Sequence, residues 1–220
     1  MWKWLGVSKK KVIYQGAEAE LIIINYKKKE VIQKKRLRKS YRIEYIDNLL
    51  ISSRTKEEAK LINEARQAGV TVPIIYDIDL NEGTILMQYI KGERIKDIFN
   101  KIKKTKRIEI CKKIGRNIAL LHNHNIIHGD LTTSNMIYNN DKIYFIDFGL
   151  GEKNHEIESK GVDLHVLMEA IESTHPKYSD FFKIIIDEYS KNLKKDSEKV
   201  KRKIQEIIRR GRYRWKKYIL

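Results

Sequence analysis

The sequence of 220 residues predicts an α+β chain, β-rich in its amino-terminal part and mainly helical after it. Three observations lead there. Short runs of β-branched and aromatic residues, separated by turn residues, fill the chain up to Ile90. Apolar residues at three- and four-residue spacing dominate after Gly92. No apolar run approaches the roughly 18 residues that a membrane span requires.

The elements follow in order. Val12 to Gln15, Ala19 to Tyr26 and Glu30 to Lys34 read as a small antiparallel meander, with Gly16 and the Lys27 to Lys29 stretch as turns. A helix is expected to begin at Thr55, with Glu58 three residues on as in a capping box; Ala59, Ile62, Ala65 and Ala68 form its apolar face and Gly69 ends it. Two strands, Pro73 to Asp79 and Thr84 to Ile90, flank the turn Asn81-Glu82-Gly83. Beyond Gly92, Ile95, Ile98 and Phe99 and then Ile108, Cys111, Ile114, Ile118 and Leu121 mark helices. Ile126-Ile127-His128 and a pair of short strands, Met136 to Tyr138 and Ile143 to Ile146, come between helices. Helical patterns resume near Val162, from Lys177 to Leu193, and in a last segment with Val200, Ile204, Ile207 and Ile208 on one face, expected to stop at Gly211. The change of period divides the chain into residues 1–90, 91–208 and a tail, 209–220.

An apolar content of 41% is enough for a real core. The single cysteine, Cys111, has no internal bridging partner and falls among apolar helical positions, as a buried thiol would. The start, Met1 to Lys11, is studded with lysines and has no signal-peptide core, so the expectation is a soluble, cytoplasmic protein. The net charge of +17 implies an anionic partner, although lysine-rich, isoleucine-rich composition is also a thermophile's general surface. The tail exceeds both: Lys194 to Lys217 carries 12 basic residues against three acidic ones. Trp2 and Trp4 fit a cap on the β-rich part, a partner contact or the remnant of a fusion boundary.

The strongest local signal is His128-Gly129-Asp130-Leu131-Thr132-Thr133-Ser134-Asn135, followed 12 residues later by Asp147-Phe148-Gly149. Phosphoryl transfer needs oxygen ligands for Mg²⁺ and a carboxylate that orients the attacking hydroxyl. This stretch supplies all of them, at the spacing of a kinase catalytic loop and metal loop. The resemblance implies a bilobal protein-kinase-like fold reduced in size, with Asp130 as catalytic base and Asn135 and Asp147 as metal ligands. ATP and Mg²⁺ are the implied cofactors, with Mn²⁺ an alternative ion. Lys34, at the end of a β-type run, would reach the ATP phosphates, with Glu58 holding it in place. Gln15-Gly16-Ala17-Glu18 stands where a glycine-rich phosphate loop would be, with one glycine in place of three, and Gln88 and Ile90 are the expected nucleotide contacts next to the boundary.

Further segments sharpen the resemblance. Lys34-Lys35-Arg36-Leu37-Arg38-Lys39-Ser40-Tyr41-Arg42, Arg54-Thr55-Lys56-Glu57-Glu58-Ala59, the Asp130 loop, Val162-Asp163-Leu164 and the late Arg210-Gly211-Arg212 are similar to those of the small kinase of the KEOPS/EKC complex, a family related to the p53-regulating protein kinase of eukaryotes. The likeness runs from about Val12 to Arg214. It implies weak serine/threonine autophosphorylation or ATPase activity, and partnership with the enzyme that forms threonylcarbamoyladenosine on tRNA and with the other KEOPS subunits.

The sequence also departs from ordinary protein kinases. Thr132 stands where a serine/threonine kinase usually carries a lysine, and only 13 residues separate Gly149 from Asp163, with no Ala-Pro-Glu, which leaves no room for a peptide-docking activation segment. Asp163 is expected, from the resemblance, to buttress the catalytic loop. In the tail, Arg209, Arg210, Arg212, Arg214, Lys216 and Lys217 interleave with Tyr213 and Trp215, a composition suited to RNA phosphates and stacked bases or to a solvated helix end. Two other readings stay open: a small-molecule kinase of the aminoglycoside- or choline-kinase type, which shares His-Gly-Asp-Leu, and a nonenzymatic tRNA adaptor switched by bound ATP.

Overall fold

The computed structural model describes residues 11–216, with side chains described for residues 11–210. Trp2, Trp4 and Lys217 lie outside the described residues. The chain divides into two compact units: the first up to Asn63 together with Pro73–Lys91, the second Glu64–Val72 together with the chain from Gly92 on.

The first unit is built on a five-stranded antiparallel sheet, β1 (Lys11–Gln15), β2 (Ala19–Tyr26), β3 (Lys29–Arg36), β4 (Ile75–Asp79) and β5 (Thr84–Gln88), in the order β1-β2-β3-β5-β4. The β2–β3 turn places two lysines, Lys27 and Lys28, at positive φ between the paired Tyr26 and Lys29, so the strand twist is met without a glycine. Alternation sorts the core: Ile22, Ile24, Val31 and Leu86 cluster together, and Ile85 and Met87 cluster instead with Ala59 of helix α1 (Glu44–Gln67). Gly83, at φ +60°, makes the β4–β5 turn, where a Cβ would come within 2.2 Å of the Ile51 side chain.

Helix α1 corrects one expectation. It begins at Glu44, not at Thr55, and Thr55 lies inside it with its hydroxyl donating to the Ile51 carbonyl at 2.7 Å, a backbone bond within the helix and no cap. The reason the first turns escape a periodicity reading is visible in the burial. The buried positions Asp47, Ile51, Thr55, Glu58, Ile62 and Ala65 fall on helical spacing, but three of them are polar. Ile46 and Leu49 are exposed on the same stretch. Asp47 is satisfied by the Lys39 amide at 3.1 Å and the Arg42 guanidinium at 3.2 Å. The helix closes as expected before Gly69, at φ +89°, with Gly69 N–H bonded to Arg66 O and Val70 N–H to Ala65 O.

The second unit is mainly helical: α2 (Ile95–Ile98), α3 (Lys104–Asn123), α4 (Ile157–Thr174), α5 (Phe181–Asn192) and α6 (Ser197–Lys216). Between them, β6 (Glu93–Arg94), β8 (Met136–Asn139) and β9 (Lys142–Phe145) form a small sheet, and β7 (Ile126–Ile127) pairs with β10 (Glu152–Lys153). The β8–β9 turn is Asn140-Asp141, both at positive φ. Gly115 lets α3 and α5 approach so closely that a Cβ there would lie 2.4 Å from the Ile185 carbonyl. Cys111 is fully buried in α3, and burial pushes its thiol up to about 12. Helix α6 runs through Gly211 to Lys216, past the stop expected there, since one glycine costs a helix only about 1 kcal/mol. No described helix is long and apolar enough to cross a membrane.

Candidate functional site

Lys34 sits on β3, paired with Leu21 of β2 on one side and Ile85 of β5 on the other, and is 7% exposed. Its ammonium lies 2.5 Å from Glu58 Oε1. Arg36, two residues on and therefore on the same face of the strand, places Nη2 at 2.6 Å from Glu58 Oε2. One buried carboxylate thus holds two buried cations. Charges this deep survive only when paired, because each has lost its water.

The rest of the phosphate-loop expectation maps onto the β1–β2 turn. Gly16 N–H bonds the Ala19 carbonyl at 3.0 Å, the Ala17 carbonyl accepts from the Lys39 ammonium, and Gln15 is exposed. Glu18 faces arginines, its carboxylate 3.6 Å from Arg54 Nη1 and 4.0 Å from Arg36 Nη1. Gln88 is occupied locally: its Oε1 accepts from Ile74 N–H at 3.3 Å and its own N–H donates to Ile74 O. Ile90 is buried.

In the second unit the loop after β7 carries Asp130 and a 3-10 turn, Thr133–Asn135. Asn135 Nδ2 donates to both the main-chain oxygen of Asp130, at 2.9 Å, and its Oδ2, at 2.8 Å. With its NH₂ group used there, the Asn135 Oδ1 remains as an acceptor. Asn135 O receives the Ile146 amide at 3.0 Å, which ties the loop to the residue before Asp147. Asp147 adopts φ +64°, in the left-handed region that a non-glycine residue occupies at a cost of roughly 1–3 kcal/mol. Its Oδ1 accepts from Gly149 N–H at 3.3 Å. Phe148 is buried against the His128 ring, with centroids 4.5 Å apart.

Asp163, in the second turn of α4 and 1% exposed, anchors this loop. Its carboxylate accepts from the amides of His128, at 2.9 Å, and Gly129, at 3.0 Å, and bonds His122 Nε2 at 3.2 Å. Burial opposes its ionisation, but the hydrogen bonds it accepts from His122 and from the His128 amide outweigh it and hold the carboxyl below the usual range. With an ionised Asp163 as acceptor, His122 Nε2 is the donor, and the Tyr189 hydroxyl on α5 donates to His122 Nδ1 at 2.9 Å. His128 directs Nε2 to Ile146 O, at 3.1 Å, and receives the Asp130 amide on Nδ1, at 3.3 Å. Burial pushes its pKa down, against the neighbouring carboxylates, so the ring is neutral with its proton on Nε2. Gly129 takes φ +80°, and a Cβ there would lie 2.0 Å from the Leu150 carbonyl oxygen.

Sequence reasoning missed three residues of these networks: Arg36, His122 and Tyr189. For Arg36 the signal was present, since its spacing of two from Lys34 on a strand puts both on one face. His122 and Tyr189 are joined across 67 positions, and no local pattern announces such a pair. In the tail, Arg209 and Arg210 are exposed on α6, with Arg210 bonded to Glu158 at 2.9 Å. Arg212, Arg214 and Lys216 belong to the same helix, where only the backbone is described.

Residues 19–160 match the RIO domain family model. The chain is 42% identical over 217 residues to the KEOPS complex subunit Bud32 of Pyrococcus abyssi, covering 95% of this chain and 99% of that protein. The chain belongs to the RIO-domain kinases, in the Bud32 family. The atypical serine/threonine kinase expected from the sequence is therefore borne out at the level of family. The chain is also 39% identical to a probable bifunctional tRNA threonylcarbamoyladenosine biosynthesis protein of Methanobrevibacter smithii, covering 92% of this chain and 36% of that longer protein. Among solved structures, a Rio2 kinase complex with ADP, Mg²⁺ and phosphoaspartate from Chaetomium thermophilum superposes with a TM-score of 0.59 at 17% identity, over 94% of this chain and 72% of that one. That likeness establishes the kinase-like fold, a β-sheet amino-terminal region before a helical carboxy-terminal one, as the sequence predicts.

Proposed function

We propose that this member of the Bud32 family is an ATP- and Mg²⁺-dependent serine/threonine kinase and ATPase that works within a KEOPS complex, in support of the enzyme that forms threonylcarbamoyladenosine on tRNA. The observation that carries the catalytic part is the fixed Asp130–Asn135 pair, with Asp163 clamping the amides just before it. The complex and its tRNA product come from the names of the Pyrococcus and Methanobrevibacter relatives.

The donor set fits a hard divalent cation. The Asp147 carboxylate and the Asn135 carbonyl oxygen are oxygen ligands of the kind Mg²⁺ takes, with Mn²⁺ as a substitute ion. Bound there, the metal would neutralise phosphate charge. Asp130 would use the carboxylate oxygen not held by Asn135 to orient a water or a serine or threonine hydroxyl for in-line attack. Lys34, fixed by Glu58, would hold the α- and β-phosphates as a point charge. The Gln15 to Glu18 turn would cover those phosphates loosely, and Ile90 would offer an apolar contact to the base; Gln88, already bonded to Ile74, would contribute through its backbone. The exposed Arg209 and Arg210, followed by Arg212, Arg214, Lys216 and Lys217, would hold tRNA phosphates, with Arg210 leaving Glu158 to do so.

The test is Mg²⁺-dependent phosphate release from ATP by wild type and by Asp130→Ala and Asp147→Ala. Turnover should fall on the order of 100-fold or more in both, with near-ultraviolet circular dichroism unchanged. Undiminished turnover in a folded Asp147→Ala protein would overturn the metal assignment.

A further inference from the structure

Glu58 closes on two cations, and the nucleotide reading uses only one of them. Strand β3 sorts its last three charges by alternation. Lys35 faces outward and bonds the exposed Glu82 at 2.8 Å, whereas Lys34 and Arg36 are buried on the other face. The end of the strand is fixed on both edges: Arg36 N–H donates to Gly83 O at 3.0 Å, and Leu37 N–H donates to Glu18 O at 2.9 Å. The Arg36 guanidinium therefore reaches Glu58 from a rigid base.

Its own contacts are few. Nη2 lies 2.6 Å from Glu58 Oε2, while Nη1 stands 4.0 Å from Glu18 Oε2, too far for a hydrogen bond. Nε has no hydrogen-bond partner. Among the described residues, Glu58 is thus the only carboxylate within hydrogen-bond reach of Arg36. A guanidinium has five N–H donors and meets a carboxylate best through two of them. Here one Nη meets one oxygen, and the other oxygen, Oε1, is left to Lys34 at 2.5 Å.

That division of the carboxylate has a mechanical effect. Lysine and glutamate side chains both have rotamers to explore, and Glu58, with a side chain 1% exposed, cannot turn to solvent when phosphate draws Lys34. A guanidinium stays charged at any working pH, so Arg36 keeps its hold on Oε2 throughout. Protein kinases need the strand lysine and the helix glutamate in place together, and the position of that helix is where many of them are controlled. In this chain β3 grips α1 through two cations, and Ala59, beside Glu58, packs on Ile85 and Met87 of the same sheet.

We propose that Arg36 is a positioning residue for phosphoryl transfer: it anchors Glu58 so that Oε1 stays on Lys34, and the lysine is set before nucleotide arrives. The proposal rests on the reading of Lys34 as a phosphate contact.

The test measures dissociation constants of ADP with Mg²⁺, and of adenosine, by calorimetry on the full chain: wild type, Lys34→Met, Arg36→Met and the double variant, with near-ultraviolet circular dichroism as the check on folding. Arg36→Met should weaken ADP about tenfold and adenosine not at all, because Lys34 meets phosphate only. In the Lys34→Met background the same change should add less than about twofold, since its effect runs through the missing lysine. Arg36→Lys, which keeps the charge without the planar fork, should recover part of the lost ADP affinity. If Arg36→Met does not fold, Arg36→Lys takes its place in the cycle, with a loss of about threefold expected. Unchanged ADP binding in the Arg36 variant, beside weakened binding in Lys34→Met, would overturn the positioning role and leave the nucleotide reading standing. Equal losses for ADP and adenosine, as a purely structural arginine gives, or losses that multiply in the double variant, as an independent contact gives, would overturn it too. Unchanged ADP binding in Lys34→Met would remove the reading of Lys34 and the proposal with it.

Discussion

Glu58 on α1 and Asp163 on α4 are both buried carboxylates, one in each unit, and they hold different kinds of partner. Glu58 grips two side-chain cations, Lys34 and Arg36. Asp163 grips two backbone amides and an imidazole that is itself held by Tyr189. The first arrangement fixes where a long, flexible ammonium points, since lysine has many rotamers to restrict. The second fixes the path of the chain on which Asp130 stands, and the side chains follow. Losing the first should misplace one charge; losing the second should unseat a loop.

That contrast can be broken at its strongest point by Asp163→Ala. It strands the His128 and Gly129 amides and the His122 N–H, and the loss of stability should be about 3–5 kcal/mol by urea titration, as for other broken buried charge networks. Glu58→Gln comes next. It keeps an acceptor but removes the negative charge that Lys34 and Arg36 share, so a loss of about 2–3 kcal/mol is expected, read on the same titration. If Glu58→Gln cost as much as Asp163→Ala, the distinction between holding side chains and holding backbone would fail.

Acid sharpens the comparison further. His128 is kept neutral by burial and His175, also buried, is shifted in the same direction. In the unfolded chain each takes a proton below about pH 6.5, so the unfolded state binds more protons there and stability falls as pH drops from about 6.5 toward the lower folded values. Urea titrations at pH 7.5 and pH 5.0 should show this decline, and His128→Gln should flatten part of it. The depressed Asp163 acts at lower pH: its contribution is present above the ordinary carboxyl range, about 3.9, and disappears as pH falls through its folded value. The smallest expected effect belongs to Tyr189→Phe, which removes one buried hydrogen bond to His122 and should cost about 1 kcal/mol, measured as a shift in the urea midpoint.

Much of this was legible from residues alone, and the limits are physical. Asp130 and Asn135 lie five positions apart, and their bond closes inside one loop, so spacing carries the geometry. The turns at Asn81 to Gly83 and after Met136 to Tyr138 were legible for the same local reason. Helix α1 was read eleven residues short because Asp47 and Thr55 occupy its inward face, and their satisfaction comes from Arg42, Lys39 and a main-chain carbonyl that no hydropathy pattern registers. Glu58 was weighed against a capping role for Thr55; inside the helix that role disappears, and the carboxylate goes to two cations more than twenty positions away. The stop assigned to Gly211 assumed that glycine ends a helix, whereas glycine only weakens one.

The Leu150 carbonyl fills the volume that a side chain at position 129 would need. The two loops are therefore cut to one tolerance, and an added methyl group acts as a wedge and not as a chemical deletion. Gly129→Ala leaves each acid, amide and cation of the site in its original formula, so whatever activity it loses reports the backbone: the fit between the loops and the positive φ that glycine takes there without strain.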